Sequence, residues 1–271
     1  FTLSGNRISL GGPVSNLSSS EQTVSLGMEL TGISVFNASN GAITVNGPLS
    51  GAGGLTKTGP KALTLSASNS YDGVTVVSDG ALYVTHSNAL GSTNGITEVD
   101  CMAGASLNLR GGINVAEPFL VNGQRPSAGH SIYSESGSNT LSGPITRKLG
   151  AAGFRIRLAS GAALVFRGGL TGSGGTGWYV IRNEGFLAFY DKPMVIAPSN
   201  TVYIETLGTT VLGVSGNVWG KTWIVAAGTL RMGAANALPE LSTLTIDNAG
   251  AILNLNGFDQ SISGIVEPCK G

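Results

Sequence analysis

Charge is the scarcest commodity in this chain. Lys and Arg together number 15, Asp and Glu also 15, and charged residues make up only 11% of the 271. The balance is zero, so no long-range field draws the chain to nucleic acid or to an anionic membrane surface, and neither is expected as a partner. Histidine is limited to His86 and His130, and cysteine to Cys101 and Cys269. Neither pair has the spacing of a zinc site, and two cysteines make no disulfide framework. No apolar run reaches the 18 or more residues that a membrane helix needs, so this segment is not expected to insert. The opening residues, FTLSGNRISLGG, lack the basic and apolar regions of a signal peptide. If the chain is exported, its signal and any anchor are expected outside this segment. The helix formers Glu, Lys and Gln are sparse, which removes local support for helices.

Motifs that would carry chemistry are missing as well. GAGG at 51–54 and GSGGTG at 172–177 have the glycines of a phosphate loop but no following Lys-Ser/Thr. Calcium-binding nonapeptides place Asp after such glycines, whereas Leu55 and Trp178 follow here. No Ser lies in a Gly-x-Ser-x-Gly elbow. The best carboxylate pair is Glu98 and Asp100, two apart on one strand face, and Asp247 recurs at nearly the place of Asp100, which points to a structural role for both. The expectation is no catalytic residue, no metal and no cofactor.

What the chain has is glycine, 42 residues of it, between short runs in which apolar residues alternate. Ile43/Val45, Leu63/Leu65, Val74/Val76, Leu82/Val84, Leu107/Leu109, Leu164/Phe166, Leu187/Phe189, Val202/Ile204, Leu244/Ile246 and Leu253/Leu255 each flank one residue of the opposite face. Leu65, Val76 and Leu109 are expected in the core. The runs also recur in fixed order. In 69–84 and 217–232, Asn69 matches Asn217, Tyr71 matches Trp219, Val77 matches Val225 and GALYV matches GTLRM. NALGSTNGITEVDCMAGASLNL at 88–109 is answered by NALPELSTLTIDNAGAILNL at 236–255, and 40–54 by 160–175. Long-spaced recurrence in one chain direction marks a solenoid rather than a hairpin sandwich.

The run LSGAGGLTKTGPKALTLSASNSYDGVTVVSDGALYV at 49–84 closely resembles the passenger-associated β-strand repeat of bacterial autotransporters and related giant surface proteins. The resemblance is strong at 37–123 and 215–266 and thinner at 130–210. It implies an all-β fold, a single right-handed parallel β-helix of roughly a dozen coils, exported to the bacterial cell surface or secreted. Residues 1–271 are expected to be one domain, a segment of a larger surface protein. Similar passengers serve as stalks, adhesins and matrix fibres, often with no catalysis in the repeat. The function expected is thus a non-catalytic extracellular stalk, spacer or surface-fibre segment, with adhesion as a use. Two alternatives stand beside it: a filament or sheath subunit stacking through open coil ends, and a carbohydrate-binding or carbohydrate-cleaving β-helix. Partners on these readings are the chain's own flanking coils, further copies end to end, or acidic surface glycans.

Three groups of residues stand out as sites. From Ser136 to Asn183 no acidic residue occurs, while Arg147, Lys148, Arg155, Arg157, Arg167 and Arg182 all do. Arg147, Arg155, Arg157 and Arg167 are read either as a solvated face whose arginine stems cover apolar surface or as a docking surface for a glycan or a second subunit, Arg155 and Arg157 sharing one face of a strand. Trp178, Tyr179, Phe186, Phe189 and Tyr190 are read chiefly as core, Trp219 and Trp223 as structural. Cys101 is read as an inert buried thiol and Cys269 as exposed and open to an intermolecular bond. The two lie 168 residues apart, on the order of 35 Å along a solenoid rising ~4.8 Å per coil, far beyond the reach of a disulfide.

Overall fold

Period-two alternation makes each apolar run a strand with one face inward. The Gly and Asn steps between runs then turn a corner every few residues. The computed structural model describes residues 1–123, 129–148, 153–172 and 177–266. Among these, every regular element is a strand, and neighbouring strands pair in parallel. Successive strands fall on three faces. The first face is one sheet of 13 strands, from Thr2–Leu3 to Gly264–Val266. The second carries three strands, Ile8–Leu10 to Leu49–Ser50, and further along a separate sheet of seven, Asn114–Val115 to Ile252–Asn254. The third carries nine, from Val14–Asn16 to Met194–Ile196. The chain is an all-β parallel solenoid.

The core is a set of columns along the axis. On the first face Ile43, Leu63, Leu82, Leu107, Ile132 and Ile156 stack in register, as do Val45, Leu65, Val84 and Leu109, and all are at most 1% exposed. Each such side chain contributes about 1.5–3 kcal/mol by leaving water. Coils are not of one size. The step from Leu65 to Val84 takes 19 residues and that from Val84 to Leu109 takes 25. The wider central coils make room inside for Phe154, Tyr179 and the stacked pair Phe166 and Phe189, whose centroids are 4.9 Å apart.

Where the second and third faces lack strands, an asparagine takes over the backbone's bonding. Asn69 Oδ1 accepts from the Leu49 amide at 2.8 Å and Nδ2 donates to the Ala89 carbonyl at 2.5 Å, so one side chain ties three coils together. Asn217 does the same between the Met194 amide and the Ala237 carbonyl, both at 2.8 Å. The matched aromatics follow suit. Tyr71 OH lies 2.6 Å from Thr75 Oγ1, and Trp219 Nε1 donates to Thr222 Oγ1 at 2.8 Å.

The two copies of that unit nevertheless lie on different faces. In the first, the strands Thr75–Val77 and Ala81–Val84 occupy the third and first faces; in the second, Lys221–Ile224 and Thr229–Met232 occupy the first and second. The other two echoes are displaced in the same sense. Ile43–Val45 and Leu49–Ser50 lie on faces one and two, against Ala163–Phe166 and Leu170–Gly172 on two and three. The close corner travels with the sequence: a Cβ on Gly47 would come 1.9 Å from the Leu26 carbonyl oxygen, and one on Gly168 2.0 Å from that of Gly143.

The expected inward facing of the pair Val74/Val76 is overturned. Thr75 and Val77 point inward, Val76 is half-buried on the outside and Val74 is 41% exposed. The cause is a one-residue slip between copies. Tyr71 reaches Thr75 four residues on, whereas Trp219 reaches Thr222 three residues on, and a shift of one reverses which side chains face the core. Leu255 is also exposed, at 44%, after the short strand Ile252–Asn254.

An interior column on the third face holds an unexpected cation. Phe36, Lys57, Val77 and Val99 are successive register partners, and Lys57 is fully buried. Its ammonium donates to the carbonyls of Thr58, Gly59 and Asp79 at 3.1, 2.5 and 2.7 Å. Burial lowers its pKa to about 8, against a smaller opposing pull from Asp79.

Two outcomes follow from these positions. Val77→Lys, which buries a cation beside Lys57, should cost several kcal/mol in denaturant unfolding, while Val76→Lys, facing outward beside Glu98, should change stability by about 0.5 kcal/mol or less. For Lys57, the unfolded chain keeps the proton up to about pH 10.5 and the folded one only to about 8. The unfolded state therefore binds more protons in that window, so this residue makes stability rise with pH. Cys101, whose thiol burial pushes up to about 12, acts with the opposite sign from its usual 9.0 upward. The difference between parent and Lys57→Met isolates the lysine. Between pH 8 and 10 the parent's stability should climb relative to the variant's, and parallel curves would show that Lys57 does not titrate there.

Candidate functional site

On the outside of the first face, residues that are distant in sequence come into line. Tyr83, Asn108, Tyr133, Arg157, Arg182 and Glu205 are successive register partners, each about 25 residues from the last. Beside them runs a second column, Arg155, Val180, Tyr203 and Trp223. Three of the longest strands, Gly153–Leu158, Trp178–Asn183 and Thr201–Thr206, form the middle of this strip. Extended backbone explains the arrangement. Six residues in strand conformation present three outward side chains, so the wide coils carry two or three outward columns where the narrow ones carry one.

The rings and cations of the strip lie against each other. The Arg110 guanidinium carbon is 4.0 Å from the Tyr83 ring centroid, and its nitrogens meet Glu135 at 2.7 and 3.0 Å. Arg157 stands 5.1 Å from Tyr133, Arg155 5.5 Å from Trp178, and Tyr203 and Trp223 stack at 5.6 Å. Trp178 covers Gly153, where a Cβ would meet the indole at 2.7 Å, so glycine leaves room for the ring. His130 lies beside Tyr133 at 4.7 Å and its Nε2 is 3.0 Å from Asn108 Oδ1. Burial, and then Arg157 and Arg155, push its pKa down to about 4, so the imidazole is neutral at physiological pH and adds no charge.

The four arginines singled out from the sequence do not form one surface. Arg155 and Arg157 share the outside of the first face. Arg147 is a correction: it is buried, 1% exposed, inside the solenoid, 4.9 Å from the Tyr179 centroid and in register between Val121 and Gly172. It follows Ile145 at the inward period, and Gly172 opposite it leaves the volume that its side chain fills. It therefore presents nothing to a partner. Arg167 sits beyond the strand Ala163–Phe166 on another face, joined to Asp191 at 2.7 Å. Arg182, Tyr83, Tyr133 and Arg110 were not among the expected docking residues. Their signal is the recurrence of large outward residues at the coil length.

The other candidates sort themselves. Tyr179 and Phe189 are core, while Trp178, Phe186 and Tyr190 are partly exposed; Trp219 is buried and Trp223 lies on the outer strip. Cys101 is buried, as expected, and that burial pushes its thiol up to about 12. Cys269 lies outside the described residues. Glu98 and Asp100 line a depression of about 100 Å³ on the outside of the third face with Lys148. Asp100 is occupied as a turn cap, accepting from the Ala103 amide at 3.3 Å and from Asn122 Nδ2 at 3.0 Å.

Comparison with known proteins agrees with this architecture. Residues 55–84 match the family described as passenger-associated-transport-repeat. They include Lys57, Asn69, Tyr71 and Val77, so the interior cation, the bridging amide and the ring all belong to the matched segment. The chain is 30% identical over 132 residues, 49% of its length, to a protein named adhesin BmaC autotransporter from Brucella suis biovar 1 (strain 1330), and the match spans only 3% of that relative. No solved structure matches the chain. The autotransporter passenger repeat that the sequence resembles is thus present at 55–84, and the chain carries it within a continuous parallel solenoid.

Proposed function

We propose that residues 1–271 form one domain, a non-catalytic extracellular segment of a larger autotransporter-like surface protein. It acts there as a stiff spacer with an adhesive outer face. The observation that carries this reading is the uninterrupted first face. Thirteen parallel strands in one sheet give about 60 Å of axial length at ~4.8 Å per coil. Bending such a rod means breaking ladder hydrogen bonds and opening a core that is shared from coil to coil. The similarity to a protein named as an autotransporter adhesin supports the extracellular and adhesive parts. The engagement of Asp100 as a turn cap speaks against a carboxylate pair poised for hydrolysis.

Stiffness is measurable directly. Spin labels at Thr64 and Thr245, placed in a Cys269→Ser background with Cys101 left buried, sit on outward columns of the first face eight coils apart. Pulsed dipolar spectroscopy should give a single narrow distance near 40 Å, from ~4.8 Å per coil. A broad or multimodal distribution would contradict a spacer role while leaving the fold intact.

A further inference from the structure

Arg157 and Arg182 are direct register partners, so two guanidinium groups leave the same side of adjacent strands about 4.8 Å apart. Like charges directly opposite in a sheet disfavour the pairing. Among the described residues no ion pair involves either guanidinium. Glu205 is next in the column, but the ion pairs among the described residues are Arg7 with Glu29, Arg110 with Glu135 and Arg167 with Asp191. Glu135, another carboxylate of the strip, is engaged by Arg110, while exposed Glu184 lies just past the end of the strand that carries Arg182. Arg155 and Lys221 add positive charge on the same side. The strip is therefore a concentration of cations on a chain whose net charge is zero.

These cations are also held in place. Arg157 lies against Tyr133, and Arg155, whose Nη1 also donates to the Gly129 carbonyl at 3.2 Å, lies against Trp178, which itself rests on Gly153. A guanidinium seated over a ring has less freedom to lose, and its planar N–H fork still fits a carboxylate or sulfate through two parallel hydrogen bonds. The ring faces, by contrast, are largely taken: Tyr83 by Arg110, Tyr133 by His130 and Arg157, Tyr203 by Trp223. That leaves little open platform on which nucleic-acid bases would stack.

We propose that this strip binds a linear polysaccharide bearing carboxylate or sulfate groups. The polymer lies along the solenoid axis, with successive acidic groups meeting Arg157 and Arg182 and with Arg155 flanking them. A straight polymer with closely repeated charges fits a row of cations spaced by the coil rise. This binding site goes beyond the spacer reading and fails independently of it: the spin-label distance can stay narrow while no glycan binds.

The test uses the whole chain at physiological salt, where exposed charges farther apart than about 8 Å are screened. The probes are heparin oligosaccharide for sulfate and polygalacturonate for carboxylate, with neutral dextran, polyglutamate and single-stranded DNA as comparators. At least one acidic glycan should bind, and Arg157→Gln with Arg182→Gln should weaken it about tenfold or more. Glu205→Gln, which removes the competing carboxylate, should tighten binding about twofold, and Arg167→Gln should leave it unchanged. Should the double variant fold poorly by its melting curve, Arg182→Gln alone and Glu205→Gln carry the comparison. Binding of neither glycan, or binding indifferent both to the loss of the arginines and to Glu205→Gln, would overturn the proposal. So would binding of polyglutamate or DNA as tight as that of either glycan, or retention that survives only at low salt.

Discussion

Each coil has to bring its backbone back to hydrogen-bonding distance of the coil before it, and the rest of the molecule is arranged around that requirement. The first face meets it with ladder bonds alone, 13 strands deep. The other faces are interrupted, and there the closure passes to side chains. Asn69 and Asn217 each offer one acceptor and one donor group of an amide, the same pair that a peptide unit offers, and so stand in for the missing rung. Burying an amide is unfavourable unless it is satisfied, which makes the substitution sound only when both halves are bonded, as they are in both copies. Lys57 extends the same logic to a cation, its three protons absorbed by three carbonyls at a corner.

Coil width then decides what the outside can carry. Narrow coils near Leu65 present little more than threonines outward on the first face, for example Thr44 and Thr64. The wide coils have longer strands and hence more outward positions, and those are where arginines and aromatic rings gather. The larger interior also accepts Tyr179 and Arg147, so one increase in circumference changes both sides of the sheet. Outer-face chemistry in this protein follows from interior geometry.

Much of the architecture was legible in the sequence because it rests on two signals that survive without tertiary information. Pairs such as Leu63/Leu65 and Leu107/Leu109 alternate, and the echoes recur in order. Facing was less legible. Val76 was assigned to the core by its alternation with Val74, yet Thr75 takes the inner position, where its hydroxyl meets Tyr71, and nothing local to 74–77 reveals a one-residue slip. Arg147 illustrates the converse. Its period with Ile145 places it inside, but a charged side chain reads as surface until Gly172 is seen to leave the space opposite it. The arginine strip was half legible, since Arg155 and Arg157 share a strand, whereas Arg182 joins them only through a coil length that varies from 19 to 25 residues.

The displacement of each echo by one face has a consequence for how such a rod changes length. The recurring unit is a corner and its two flanking strands, and it works equally well on any side of the triangular cross-section. Duplication or loss of such a unit thus need not preserve a whole number of coils. Adding two strands' worth of chain advances the winding by two thirds of a turn, so everything distal to the insertion is rotated about the axis relative to everything before it. A short change in length becomes a change in aim: the same outer strip, unaltered in sequence, points to a different side of the rod.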